Sequence, residues 1–378
     1  MVVLCSPELL QAAPPKLPHV EPESVGMSRL RLNHIDTIVA EGLQREEMCG
    51  CVVLIGRSSG IVFEKAYGDR QVLPERDPMT VDTVFDLASL TKPIATGTSL
   101  MTLVEEGKLQ LDDPVAKYIP EFAVNGKEAI TVRQLLTHQA GLIPDTDIEE
   151  YKNGSEEAIR KALATIPTDP PGKKFVYSDV GPIIVAELIR RLTSDDIHTY
   201  SQKRIFQPLG MLETGYNPGP DLRARAIVTE QREGRWMKGE VHDPRAYLMN
   251  GIAGHAGLFS TAEDLAVYAA MMIGNGEYCG VRILAPQTVK LMTKPEETSQ
   301  GLRSISWDSK SSYSSNRGDL CTPQAFGHGG FTGTVIWIDP GLDLFYIFLS
   351  SRLHPDGKGT VNPLAGRIGT VAAAAIRE

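Results

Sequence analysis

Ser89-Leu90-Thr91-Lys92-Pro93-Ile94-Ala95-Thr96-Gly97-Thr98-Ser99-Leu100-Met101-Thr102-Leu103-Val104 is the stretch that organises this 378-residue chain. Leu100, Leu103 and Val104 recur at helical spacing, and Gly107 supplies a stop. Pro93 is tolerated only near a helix start, where backbone N–H groups lack intrahelical partners anyway. The pattern predicts a helix over 93–107 with Ser89 at its N-terminus. Residues three apart share a helix face, so the Lys92 ammonium can reach the Ser89 hydroxyl. A serine hydroxyl is a weak nucleophile until its proton is taken. A lysine can take it if burial and neighbouring positive charge lower its pKa. The helix N-terminus adds free N–H groups suited to a developing oxyanion. This is the only Ser-x-x-Lys in the chain. By itself it also reads as an N-cap serine beside a solvated lysine.

Upstream, apolar β-branched runs at 51–56 and 61–68 flank Arg57-Ser58-Ser59-Gly60 and read as a hairpin. Ser28 caps a first helix that carries Leu32, Ile35, Val39 and Gly42 on one face. Downstream, from 109 to 219, the strand signal fades. Thr131-Val132-Arg133-Gln134 matches a capping box whose helix would end near Gly141. Further helices start at Ser155, with Ile159, Leu163 and Ile166 in line, and run over 179–193 with Ile184, Leu188 and Leu192. Ser260-Thr261-Ala262-Glu263 reads as another capping box. Two apolar runs, 334–339 and 342–350, flank Pro340-Gly341 as a tight hairpin buried on both faces. Asn362-Pro363 caps and opens a terminal helix.

Strands therefore sit at both ends of the chain and helices between. The expected architecture is α+β: an antiparallel sheet flanked by helices, with an all-helical lobe inserted in it. The chain divides into an extended lead or clipped signal remnant at 1–24, a sheet domain from 25–95 and 251–378, and a mostly helical insert at 96–250. A cleft between the lobes would start at Ser89.

Apolar content of 42% and charged content of 22% describe a globular protein with a sizeable core. Net charge is −9 with no basic run, which excludes a nucleic-acid partner. No apolar segment is long enough to cross a membrane, so no integral membrane segment is expected. The start, Met1 to Ala13, has a short apolar stretch and small residues but no positive n-region, and reads as the tail of a clipped secretory signal, hence an exported chain, or else as a disordered terminus of a soluble cytoplasmic one. Five cysteines, Cys5, Cys49, Cys51, Cys279 and Cys321, are odd in number and irregular in spacing, so idle thiols are expected.

Three other stretches carry chemistry. Tyr177-Ser178-Asp179 precedes a predicted helix; Tyr177 could accept a proton if cationic neighbours favoured its phenolate, and Asp179 could cap the helix. In Phe326-Gly327-His328-Gly329-Gly330-Phe331, dense glycines let another backbone or a ligand approach, with His328 at the opening. His242, in Glu240-Val241-His242-Asp243, and His255, in Gly254-His255-Ala256-Gly257, read as structural or substrate-contacting. A metal on His242, Asp243 and His255 fits no zinc spacing, so no metal and no cofactor are expected. His138 falls at a helix end and would cap carbonyls. There is no His-Glu-x-x-His and no Walker A loop, and Gly56-Arg57-Ser58-Ser59-Gly60, which spells Gly-x-Ser-x-Gly, falls in the predicted hairpin turn and not at a strand-to-helix elbow.

Ser89-Leu90-Thr91-Lys92, Tyr177-Ser178-Asp179 and His328-Gly329-Gly330 resemble, in order and approximate spacing, the three motifs of the class C β-lactamase group. That group includes penicillin-binding proteins, D-alanyl-D-alanine peptidases and family VIII carboxylesterases. The likeness spans about residues 25 to 378. Leu135-Leu136-Thr137-His138-Gln139-Ala140-Gly141-Leu142 and Gly254-His255-Ala256-Gly257-Leu258-Phe259-Ser260-Thr261 look like landmarks of the same group. The second motif there usually reads Tyr-x-Asn, and the third usually begins Lys-Thr-Gly. Glu240-Val241-His242-Asp243 with His328-Gly329-Gly330 looks most like the branch acting on peptidoglycan fragments, which includes penicillin-binding protein 4B-like and muropeptide amidase members.

The resemblance implies a serine hydrolase with catalytic Ser89, Lys92 and Tyr177. It implies an oxyanion hole from the amides of Ser89 and Phe331, and substrate contacts from Asp179, His328, Gly329, Gly330, His242 and His255. The substrate would be a small molecule or a peptidoglycan fragment. A carboxylesterase on small esters and a non-catalytic wall-fragment binder are the alternatives. His328 in place of the lysine implies weak β-lactam turnover. With a near-normal pKa it would be charged only below about 6, so a preference for carboxylated substrates would grow as pH falls.

Overall fold

A computed structural model describes residues 13–377 of the chain. Of the expected lead or signal remnant at 1–24, residues 1–12 lie outside these residues. The two apolar hairpins pair with each other: Gly50–Arg57 lies antiparallel between Gly60–Gln71 and Leu344–Ser350, with Cys51 opposite Ser350. Thr334–Asp339 and Phe326–Gly329 continue the sheet toward Asp308–Ser311, Gly301–Arg303 and Glu296–Thr298, and Asp77–Pro78 closes the other edge. All nine strands of this sheet come from 50–78 and 296–350.

Leu344–Ser350 and Thr334–Asp339 are buried at every position, because helices cover both faces. His34–Gln44 and Asn362–Ala374 lie on one face, over Val53, Val335, Trp337 and Phe348. Ala262–Ile273 lies on the other, with Val52, Leu54, Ile336 and Ile347 in its core. Burial of each such side chain favours folding by about 1.5–3 kcal/mol, which explains why the sequence runs apolar here instead of alternating.

Region 96–250 carries helices Val132–Leu136, Ser155–Leu163 and Val180–Thr193. It also carries the hairpin Val228–Arg232 with Arg235–Lys238, and the strand Gly215–Tyr216. Gly215–Tyr216 joins Leu258–Ser260, which pairs with Phe85–Asp86. The expected boundary at 95/96 falls inside a continuous buried helical run, where Lys92–Gly97 forms a π-turn leading into Thr98–Glu105. No helix among the described residues is long and apolar enough to cross a membrane.

Several local expectations shift. The helix opened by the Thr131 capping box stops at Leu136, well short of Gly141. The cap of Ala262–Ile273 is Thr261, which accepts from the Asp264 amide, so the reading moves one residue from Ser260. Asn362 is the first helical residue, not a cap, and Val361 precedes it. Ser28 caps as expected. Cys49, Cys51, Cys279 and Cys321 are free thiols.

Candidate active site

Ser89 sits in the one-turn 3-10 helix Ala88–Leu90, just beyond the Phe85–Asp86 strand. Ala88 has φ +46°, a left-handed value that costs a non-glycine residue strain and is held by its surroundings. The buried Asp86 carboxylate accepts from the Ala88 amide at 2.9 Å and the His242 amide at 2.6 Å. Burial pushes its pKa up, against those two donors. Thr332 and Thr334 latch the third motif onto the same turn, donating to the carbonyls of Asp86 (2.7 Å) and Leu87 (3.1 Å). Gly330 makes that approach possible: a Cβ there would lie 2.4 Å from the Leu87 oxygen.

Lys92 is 2% exposed, and its ammonium donates to Ser89 Oγ at 2.8 Å and the His255 carbonyl at 3.1 Å and forms an ion pair with Asp179 Oδ1 at 2.6 Å. The expected lowered pKa is overturned. Burial does push it down, but the Asp179 carboxylate, with Tyr177 beside it, outweighs burial and lifts it above the ordinary 10.5. Lys92 therefore stands beside Ser89 as a donor. Asp179 precedes the Val180–Thr193 helix yet makes no capping bond, because its carboxylate is turned to Lys92.

Tyr177 is sandwiched between His138, at 4.5 Å between ring centroids, and Tyr313, at 5.1 Å. Its ring centroid lies 5.0 Å from Lys92 Nζ. His138 is not the expected carbonyl cap. It sits at φ +57° and its Nδ1 accepts from the Ser178 amide at 3.1 Å. Burial, with Arg303 and Lys92 nearby, holds it neutral, far below the ordinary histidine range.

Ser89 and Tyr177 separate two chambers. One, of about 340 Å³, is lined by Arg303, Asn316, His328, Gly329, Gly330 and Arg352. The other, of about 490 Å³, is lined by Asp145, Asp179, Glu230, His242, Asp243 and His255. Phe331, 58% exposed, stands at the mouth of both, between the His242 ring at 5.5 Å and the Arg352 guanidinium at 4.3 Å.

His328 does not have the near-normal pKa expected of it. Burial, then Arg303 and Lys92, push it well below 6.5, so it stays neutral. Its Nδ1–H donates to the Gly329 carbonyl at 2.8 Å, which leaves Nε2 a bare acceptor with no partner. Gly329 does not widen the site. A Cβ there would meet Asn316 Nδ2 at 2.5 Å, so the glycine lets Asn316 close in.

Sequence reasoning missed Arg303. Its side chain is 1% exposed, its nearest carboxylate is Asp308 at 3.8 Å, and its Nε and Nη2 have no partner. The one signal was an arginine among the apolar residues of Leu302-Arg303-Ser304-Ile305. In the other chamber, His255 Nε2–H donates to Asp243 at 2.9 Å. Each charge supports the other: Asp243 raises the His255 pKa against burial, and His255 depresses that of Asp243 against burial. Asp145, half-buried and with Asp179 nearby, is pushed up to about 6.

The trio His242, Asp243 and His255 does not converge. His242 turns instead to Glu230 at 2.8 Å. Asp179, Asp243 and His255 do bring ligand atoms within 4.8 Å of one another, but Asp179 is engaged by Lys92 and His255 by Asp243.

The family model described as Beta-lactamase matches residues 35–369. An Escherichia coli (strain K12) protein, provisionally named a D-alanyl-D-alanine carboxypeptidase, is 32% identical over 94% of this chain and 89% of its own. A penicillin-binding protein homolog from Caulobacter crescentus superposes with a TM-score of 0.77 at 21% identity, over 93% of this chain and 99% of its own. A family VIII carboxylesterase does so with a TM-score of 0.73 at 19% identity, over 93% and 99%.

Proposed function

This chain belongs to the Beta-lactamase family and is a serine hydrolase, and from that premise we propose that it is a carboxypeptidase acting on peptides with a free terminal carboxylate, of the D-alanyl-D-alanine type. Arg303 carries the reading. A buried guanidinium without a full partner is costly, and that cost falls when an anion enters its chamber. A carboxylate matches its planar fork in two parallel hydrogen bonds. Arg303 thus supplies the charge that His328 lacks. The name carried by the E. coli relative supports the same substrate class.

In this reading Ser89 attacks the carbonyl of the penultimate residue. Its proton passes to Lys92 as a Lys92 proton passes to Asp179, a relay supported by contacts of 2.8 and 2.6 Å. The amides of Ser89 and Phe331 hold the oxyanion. The C–N bond then breaks, and the leaving amine takes a proton back along the same route with the Tyr177 phenol beside it. Water repeats the attack on the acyl-Ser89 ester. Such a substrate lies outside the cytoplasmic membrane, so the proposal carries export of the chain with it.

The test compares a peptide ending in D-Ala-D-Ala with the same peptide amidated at its C-terminus. D-alanine released from the acid, D-alaninamide released from the amide, and the mass of the Ser89 adduct are followed. The free acid should be favoured in kcat/KM by roughly 30-fold or more, as expected for a buried charge pair. Equal turnover would remove the carboxypeptidase reading and leave the esterase one.

A further inference from the structure

Outside both chambers at Ser89, the lead segment docks against the start of the Gly60–Gln71 strand. The Val20 amide donates to the Ile61 carbonyl at 2.9 Å, and the Ile61 amide to the Pro18 carbonyl at 2.8 Å. This docking lays His19 over Glu64 of the strand and Glu263 in the first turn of Ala262–Ile273. His19 Nε2 lies 3.3 Å from Glu64 Oε2 and 3.7 Å from Glu263 Oε1, and the three ligand atoms lie within 4.8 Å of one another.

Two features separate this trio from an ordinary surface ion pair. The Glu64 side chain is 5% exposed, and its Oε1 is buried without a hydrogen-bond partner. An unsatisfied buried carboxylate beside a second carboxylate is stabilised by a cation. The spacing also fits one. With metal–ligand bonds of about 2.0–2.2 Å, the edge of a tetrahedron is about 3.3–3.6 Å, close to both contacts of His19. The Lys16 ammonium, 2.6 Å from Glu263, holds the Oε2 oxygen and leaves Oε1 facing His19.

We propose that His19, Glu64 and Glu263 bind a divalent transition-metal ion, with water as fourth ligand, and that the ion pins the lead segment to the sheet and helix. A histidine with two carboxylates suits Zn²⁺ among the first-row ions. The ion has no part in the acyl transfer at Ser89. Its work is to tie together three segments that are distant in sequence.

Zinc chloride titrated into the whole protein by calorimetry, with Tm recorded in parallel, tests this. The wild type should show one saturable site and a rise of Tm on binding. His19→Gln and Glu64→Gln should each weaken binding roughly tenfold or more and lose the rise, with peptide turnover unchanged. Two results would overturn the proposal. One is no saturable binding by the wild type. The other is binding that survives both substitutions, including binding lost only in His255→Gln, which would put the ion in the catalytic chamber.

Discussion

The two chambers that meet at Ser89 are opposite in charge and opposite in how that charge is satisfied. On one side Arg303 has Asp308 no nearer than 3.8 Å and two nitrogens without partners. On the other, most acids are paired with bases within the protein, Asp179 with Lys92, Asp243 with His255 and Glu230 with His242, while Asp145 has Arg245 no nearer than 3.6 Å. An open charge invites a ligand, while a closed network holds protons in place. In the reading proposed above, the first chamber binds the substrate carboxylate and the second handles protons, with Ser89 at the boundary.

The largest effect belongs to the boundary itself. Ser89→Ala should abolish covalent labelling by a serine-directed phosphonate and cut turnover by about 10³-fold or more. A fully labelled variant would place the nucleophile elsewhere and dissolve the division.

Opening the closed network comes next. In Asp179→Asn, Lys92 loses the partner that raises its pKa, and burial then pulls it down. Turnover at pH 7 should fall by about 10²-fold. The sign of the pH effect follows from the same pair. With Asp179 present, Lys92 stays charged until pH climbs past 10.5, and any stability from the pair is lost only above that. The wild type should therefore show no Lys92 limb below 10.5. The variant should gain one in which activity rises with pH as Lys92 deprotonates. Superimposable profiles would show that Asp179 does not govern Lys92.

Neutralising the open charge is a smaller change. Arg303→Gln should cost roughly 30- to 150-fold in kcat/KM for a free-acid peptide and little for its amide. Equal losses on both substrates would mean that Arg303 supports the fold without gripping a carboxylate. The smallest effect sharpens the comparison by its absence. Since His328 stays neutral, the acid-to-amide preference should be flat within about twofold from pH 7 to about 5.5. A steep rise toward acid would return the carboxylate to His328.

Much of this was legible without coordinates. Ser89 and Lys92 are three residues apart, and Tyr177 and His328 lie in short motifs, so local patterns and family likeness found them. The buried hairpin was readable as well, because 335–338 and 344–349 are apolar on both sides of the pleat. Helix caps were harder. Thr261 and Ser260 are chemically alike, and only the backbone decides which hydroxyl meets a free amide.

What the amino-acid sequence pointed to by itself was the candidate nucleophile, its lysine neighbour and the elements that carry them, since each depends on residues close in the chain. What only the tertiary structure decided was the state of their charges. Asp179 lies 87 residues from Lys92, and Arg303 comes from a different strand of the sheet from His328. Whether Lys92 holds its proton, whether His328 takes one and whether Arg303 is paired depend on burial and on charges a few ångströms away. Those distances exist only once the segments have packed, because Coulomb and desolvation energies follow separation in space and not along the chain.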